Sequence, residues 1–467
     1  MIKHLDEKTI NKIRLISTKI NELVFFVFII CIPLTFLDMG DTKSYTFNLP
    51  FFVSFIGILF SFVHVLFFAN KELKIKCASF LLMPLFLSIQ SIIATVIFKT
   101  SIPQVYTQNV FFTNIKESIY ILHAFLLILY NYVEFKIFKK QKILVPFLVG
   151  FGIFLFFGYL QIGYVLGIKF FGSIINFFNI LKVSRNSYYF EIYKKICAST
   201  PEAAHMTQII VCYFIPTSVF LVFEEKRKKV KIAIYIFLAL LIPIIVFSHS
   251  TELIATIIFT CVIVLLYAFA KMFKNKKYWA CLFIFIGATS AILVFSLTNY
   301  FRLYFYEKLF GNFAYSAQKR FSHIYNAFIV FLNNPGFGIG SGIHGYFYRD
   351  NIIDTWFMGS IEVRNYVNGT NVVPTAAPFL PYFLSSYGLF GLVFLTNIIV
   401  RYVKNRLLTI EKKYLNIISI GLISFVFLST FVENIIGSYY LGFLLSLSYL
   451  SPKKATSRNI YVYEINI

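Results

Sequence analysis

Apolar runs long enough to cross a lipid bilayer recur along almost the whole chain, and links too short to fold separately join most of them. A spanning helix needs about 20 mostly apolar residues. Windows of that width predict about twelve spans, near 23–37, 49–69, 77–98, 115–135, 143–166, 205–223, 232–248, 253–270, 279–297, 377–400, 414–432 and 433–450. The first run is short and contains Pro33, but no small-residue cleavage site follows it, so it reads as a retained span rather than a signal peptide. The composition excludes a soluble alternative. With 58% of residues apolar and 13% charged, no water-soluble fold of this size could cover its apolar surface. The six cysteines show no CxxC and no paired spacing, so neither a disulfide framework nor a zinc site is expected. The fold class expected is therefore all-α, a polytopic integral membrane protein.

The net charge of +23 invites a nucleic-acid reading, and its distribution argues against one. Most of the 43 Lys and Arg residues lie in alternate short links and at the two ends. They include Lys71, Lys74 and Lys76, then Lys136 to Lys142, then Lys226-Arg227-Lys228-Lys229, then Lys271 to Lys277, then Arg401 to Lys413. This is the bias of cytoplasmic loops. The chain divides into a cytoplasmic segment 1–22, nine spans over 23–298 with an outward loop near 167–204, a large outward loop 299–376, three spans over 377–450, and a cytoplasmic tail 451–467. The basic links contain no Walker-type phosphate loop. The work of the protein is expected at its outer face, with membrane lipid as surroundings and no nucleic acid as partner.

Four polar clusters lie on that face. Ser199-Thr200-Pro201-Glu202 precedes the sixth span, and Arg185 is near it in sequence. Pro and an acidic residue suit a helix start, and Glu202 is equally a carboxylate able to take a proton. Ser248-His249-Ser250-Thr251-Glu252 forms the hairpin between spans seven and eight, with His249 as a second candidate base. An amphipathic helix is expected over 316–332, stopped by Asn333-Asn334-Pro335-Gly336. Arg320 and His323 are three apart on it and share a face. No carboxylate lies three or four residues from Arg320, so an unpaired cation facing a cavity is expected there. Gly336, Gly338, Gly340 and Gly342 alternate after the helix and could form an anion-binding nest or serve bends. Arg302 lies upstream, where the ninth span leaves the membrane. The fourth cluster is the polar aromatic stretch from Trp356 to Ala377, followed by Ser385-Ser386-Tyr387-Gly388-Leu389-Phe390-Gly391. No DxD, HExxH or His/Cys cluster is present, so no metal and no cofactor are expected.

Arg320, the amphipathic run, Asn334-Pro335-Gly336-Phe337-Gly338-Ile339-Gly340 and the Ser-Tyr-Gly-Leu-Phe-Gly entrance to the next span together resemble the O-antigen ligase/polymerase superfamily of bacterial envelope glycosyltransferases. Ser248-His249-Ser250 stands where family members often carry a Ser-Arg-small hairpin, and Arg185 with Pro201-Glu202-Ala203 loosely echoes the Arg…Glu-Pro-Ser of many polymerases. The match covers roughly 185–395. Ligases carry a His ahead of the Gly-x-x-Gly, and this chain has Ala377-Pro378 there, so the resemblance points to the polymerase branch. It implies oligosaccharide repeat units on undecaprenyl diphosphate as substrates, the inner membrane as location, and a flippase and chain-length regulator as partners. It assigns diphosphate binding to Arg320, Arg185 and Arg302 with His323 in support, and proton acceptance to Glu202 or His249. The other readings are a ligase, and a lipid-linked oligosaccharide flippase or other transporter. A transporter calls for ionisable residues deep in several spans; Glu117, His123 and Glu134 in the fourth span are the ones noted.

Overall fold

A computed structural model of the protein describes residues 7–35, 49–103, 106, 108–137, 143–180, 196–200, 203–274, 306–307, 311, 314–353, 356–368, 373–375, 378–407, 410–431 and 438–450. The regular structure among them is helical, with no β-strand. In order the principal helices are α1 (Glu7–Cys31), α2 (Leu49–Phe68), α3 (Lys71–Phe98), α4 (Val110–Ile137), α5 (Leu144–Val165) and α6 (Lys169–Ile180). Then come α7 (Ala203–Gln208), a π-helical stretch (Ile209–Phe214), α8 (Ile215–Glu224), α9 (Lys228–Phe247), α10 (Thr251–Lys274) and α11 (Tyr315–Asn333). The last are α12 (Tyr348–Asn351), α13 (Ile361–Asn368), α14 (Phe379–Leu407), α15 (Lys412–Phe431) and α16 (Ser438–Leu450).

Eight helical runs among the described residues are long and apolar enough to cross a membrane, so the protein is a multi-pass helical membrane protein. They match the expected spans 2 to 7, 10 and 11 to within a few residues. The other expected spans differ or are described only in part. The first run is the end of a longer helix that begins at Glu7, because the Lys- and Glu-rich segment ahead of it continues the same hydrogen-bond ladder. The eighth falls within α10, Thr251–Lys274, which contains the apolar stretch Glu252–Ile263. The ninth, 279–297, lies outside the described residues. Of the twelfth, 433–450, the described residues 438–450 form one apolar helix. The sixth is interrupted by the π-helical turn, where Ile209 to Phe214 are all buried.

The bundle is lined by aromatic rings. Phe147, Phe151, Phe154, Tyr213, Phe214 and Phe443 form one core, with the Phe151 and Phe214 rings stacked 4.1 Å apart. Leu59, Phe62, Leu82, Ile93 and Ile242 point outward, as side chains facing lipid do. Hydrogen bonds draw several helix ends to one end of the molecule. Ser199 Oγ donates to the Pro33 carbonyl (2.6 Å), Gln161 Oε1 accepts from the Cys197 and Ala198 amides (2.8 Å each), and Ile196 N donates to the Phe247 carbonyl (3.4 Å). Among the described links, the basic residues Lys71 at the start of α3 and Lys226-Arg227 between α8 and α9 lie at the opposite helix ends.

The stretch 299–376, expected as an outward loop, is partly built in at that same end. Within it α11 carries a buried face of Ala317, Gln318, Ser322, His323, Asn326, Ala327 and Val330. Tyr348 of α12 and Val363 of α13 form a cluster with Ile352 and Phe357, and the Tyr348 and Phe357 rings meet His323 and Tyr325 of α11.

Candidate functional site

The site is organised by a mutual fit between a glycine loop and a broken helix. α14 does not run straight: Gly388 has φ 62° and ψ −165°, and the helix is interrupted there. The loop after α11 enters this break. Leu389 N donates to the Pro335 carbonyl (2.8 Å) and Phe390 N to the Gly336 carbonyl (3.1 Å). In return Ile339 N and Gly340 N donate to the carbonyls of Ser385 (3.0 Å) and Ser386 (3.1 Å). Backbone groups that a broken helix leaves orphaned inside a membrane must find partners, and the loop supplies them. Gln90 of α3 clasps both parts, its Nε2 donating to the Phe337 and Tyr387 carbonyls (2.9 and 3.1 Å).

This fit decides between the two readings of the alternating glycines. Gly338 and Gly340 have positive φ and meet backbone or polar atoms where a Cβ would stand. Their amides are already spent: Gly338 N on the Asn334 carbonyl, Gly340 N on Ser386, and Ser341 N on Ser91 Oγ (2.7 Å). The glycines serve close backbone approach, in keeping with the bend reading, and the amides of Gly338, Gly340 and Ser341 are not free to form an anion nest.

Beneath the loop lies a buried polar network that the sequence reading did not single out as a site. Asn114 Nδ2 donates to Ser91 Oγ (2.8 Å) and Thr95 Oγ1 (2.7 Å). Ser341 Oγ and Tyr382 Oη are 2.6 Å apart, and Tyr387 Oη donates to Ser341 Oγ (3.4 Å). Glu117 of α4, 8% exposed, accepts from Thr375 Oγ1 and Tyr382 Oη, each at 3.3 Å. The His344 ring stands edge-on to Tyr382. The one available signal was the presence of Glu117 in an apolar run, since an intramembrane carboxylate is kept for a purpose.

Arg320 is where its helix was expected to be, but its pairing differs from expectation. Its guanidinium forms an ion pair with Glu252, in the first turn of α10, and the two side chains are 30% and 11% exposed. The partner comes from a distant part of the chain, which spacing along one helix cannot reveal. His323 does not accompany Arg320. It is buried between the rings of Tyr348 and Tyr366, and neither ring nitrogen has a hydrogen-bond partner. Burial, with Lys319 and His344 nearby, pushes its pKa down to about 3, so the ring is neutral and offers a phosphate no charge. His344 is likewise held at about 4 by burial.

His249 sits in the left-handed backbone region (φ 47°) between the buried Ser248 and Ser250, three residues before Glu252. It therefore belongs to the hairpin that holds Arg320. Arg185, Glu202 and Arg302 lie outside the described residues. Among the described residues, no group of three or more His, Cys, Asp or Glu could hold a metal ion. The arrangement can offer a partly exposed cation, a half-buried imidazole in the hairpin that carries the Glu252 partner, and exposed rings such as Trp356, Tyr325 and Phe337. No protein-family model and no curated protein matches the chain.

Proposed function

We propose that the chain is an O-antigen, or related surface-polysaccharide, polymerase of the inner membrane. In this reading it moves a growing glycan from undecaprenyl diphosphate to the non-reducing sugar of an incoming lipid-linked repeat unit. The observation that carries the reading is the meeting of three separated clusters at one end of the bundle. The Asn334–Gly340 loop mates with the Ser385–Gly391 entrance, and Arg320 ties the same helix to the His249–Glu252 hairpin. A hydroxyl of the acceptor attacks the anomeric carbon, the bond from that carbon to the diphosphate breaks, and the lipid diphosphate leaves with the electron pair. Cations that bind the departing oxygens lower the barrier, and the planar fork of Arg320 suits phosphate. His249 and Glu202 remain the candidates to take the hydroxyl proton.

The working end then faces outward and the basic links face the cytoplasm. Cysteine labelling checks this: Asp350→Cys should react with a membrane-impermeant maleimide in intact spheroplasts, and Lys229→Cys only after permeabilisation. The opposite pattern would overturn the orientation. The reaction is tested by the length ladder of surface polysaccharide in a deletion strain. A single repeat unit on core supports a polymerase, and bare core would indicate a ligase. The transporter reading draws support from one observation, the inward burial of His64, His123 and Glu134 within α2 and α4. Lipid-linked units trapped in the inner leaflet would favour it.

A further inference from the structure

α2 presents most of its surface to lipid, yet its buried face is polar: Ser54, Gly57, Ser61 and His64, flanked by Pro50 and Val65. Each of the four meets a polar tip from a neighbouring helix. Ser54 Oγ and His123 Nε2 of α4 are 3.2 Å apart. Gly57 leaves room for the Tyr130 hydroxyl, which would stand 2.4 Å from a Cβ there. Ser61 Oγ donates to Glu134 Oε1, and His64 Nδ1 lies 3.0 Å from Ser17 Oγ of α1. Positions 54, 57, 61 and 64 follow the helical repeat, so the seam runs about 15 Å along one face, roughly half the hydrocarbon thickness. It reaches toward the lysine-rich end, where Ser17 is partly exposed.

Interhelical hydrogen bonds explain the serines as adhesive between helices, but they do not explain Glu134. A glutamine would accept the same bond from Ser61 without the risk of a buried charge. Glu134 is 0% exposed, its Oε2 has no hydrogen-bond partner, and no ion pair reaches it among the described residues. The ionisable groups around the seam are Glu22 and Arg14 on α1, His64 on α2, and Tyr130 and His123 on α4. Glu134 is fully buried, out of reach of a sugar or a lipid headgroup. A metal cation wants a shell of several oxygens, and the oxygen bonded to the Glu134 carboxylate here is Ser61 Oγ. A carboxylate with one bonded and one open oxygen takes up a single proton.

We propose that Glu134 is a proton-binding site inside the membrane layer, loaded from the lysine-rich end through His64 and Ser17. The inference does not rest on the polymerase reading. Dicyclohexylcarbodiimide, a lipophilic reagent for protonated carboxyl groups, tests it on the full-length wild-type protein in native membranes, with adducts located by mass spectrometry. The expected result is an adduct at Glu134 that declines as pH is raised and is unchanged by excess sodium chloride at constant pH. His64→Leu should slow the decline after a jump to alkaline pH. Adduct at Glu117 but none at Glu134, or a Glu134 adduct indifferent to pH, would overturn the proposal. Protection by sodium would make the ligand a metal cation and overturn it equally, and an unchanged rate in His64→Leu would overturn the loading route.

Discussion

Arg320→Ala is expected to lower polymer formation about 30- to 1000-fold, the roughly 2–4 kcal/mol that one preorganised donor supplies to a developing anion. The ion pair with Glu252 complicates the measurement and also supplies its control. Removing the guanidinium leaves a carboxylate at the start of α10, 11% exposed, without that partner. Stranding a buried charge costs stability whatever the residue does in catalysis. The variant is therefore expected to lose both thermal stability and activity. Glu252→Gln removes the stranded charge, so Arg320→Ala/Glu252→Gln should regain stability. If Arg320 binds the leaving diphosphate, the double variant still makes only short chains. Arg320→Lys keeps the charge without the fork and should be impaired as well. Recovery of long chains in the double variant would make Arg320 a structural residue joining α11 to the hairpin, and the diphosphate would need another cation.

The two kinds of information in this chain were unequally legible. Burial in lipid imposes its pattern on every residue of a span, so α2 to α5 and α9 could be located from apolar run length alone. The amphipathic helix over 316–332 was likewise readable, because its stop at Asn334-Pro335-Gly336 is local chemistry. Pairing between distant segments was not. Nothing near Arg320 in sequence announces Glu252, and nothing near Glu117 announces Tyr382 and Thr375. The glycine alternation was visible and favoured a bend, but the anion nest stays open until the partners of its amides are known. His323 was misjudged for a similar reason. Three-residue spacing gives a common face, and the rings of α12 and α13 cover one end of that face and not the other.

Gly388→Ala is expected to destabilise the protein by several kcal/mol, enough to remove folded material at ordinary growth temperature. Gly388 occupies a backbone region essentially reserved for glycine, and occupying it with a side chain costs about 1–3 kcal/mol. The added methyl would also stand 2.3 Å from the Gly336 carbonyl oxygen and 2.8 Å from Gly338 N. Those are backbone atoms of the mated loop, so they can make room only by leaving the break in α14. The four backbone hydrogen bonds at 335–340 and 385–390 then fail together, along with the two made by Gln90. Each buried polar group left unsatisfied costs about 1–3 kcal/mol, against a total stability of about 5–15 kcal/mol. The matching control lies in the same loop. Gly336 has no positive φ and nothing within 4 Å of a Cβ, so Gly336→Ala should stay within about 0.5 kcal/mol of wild type. Thermal unfolding of the purified proteins in detergent measures both. Equal melting of Gly388→Ala and wild type would mean that the loop does not occupy the broken helix, and the cluster at this end of the bundle would come apart with it.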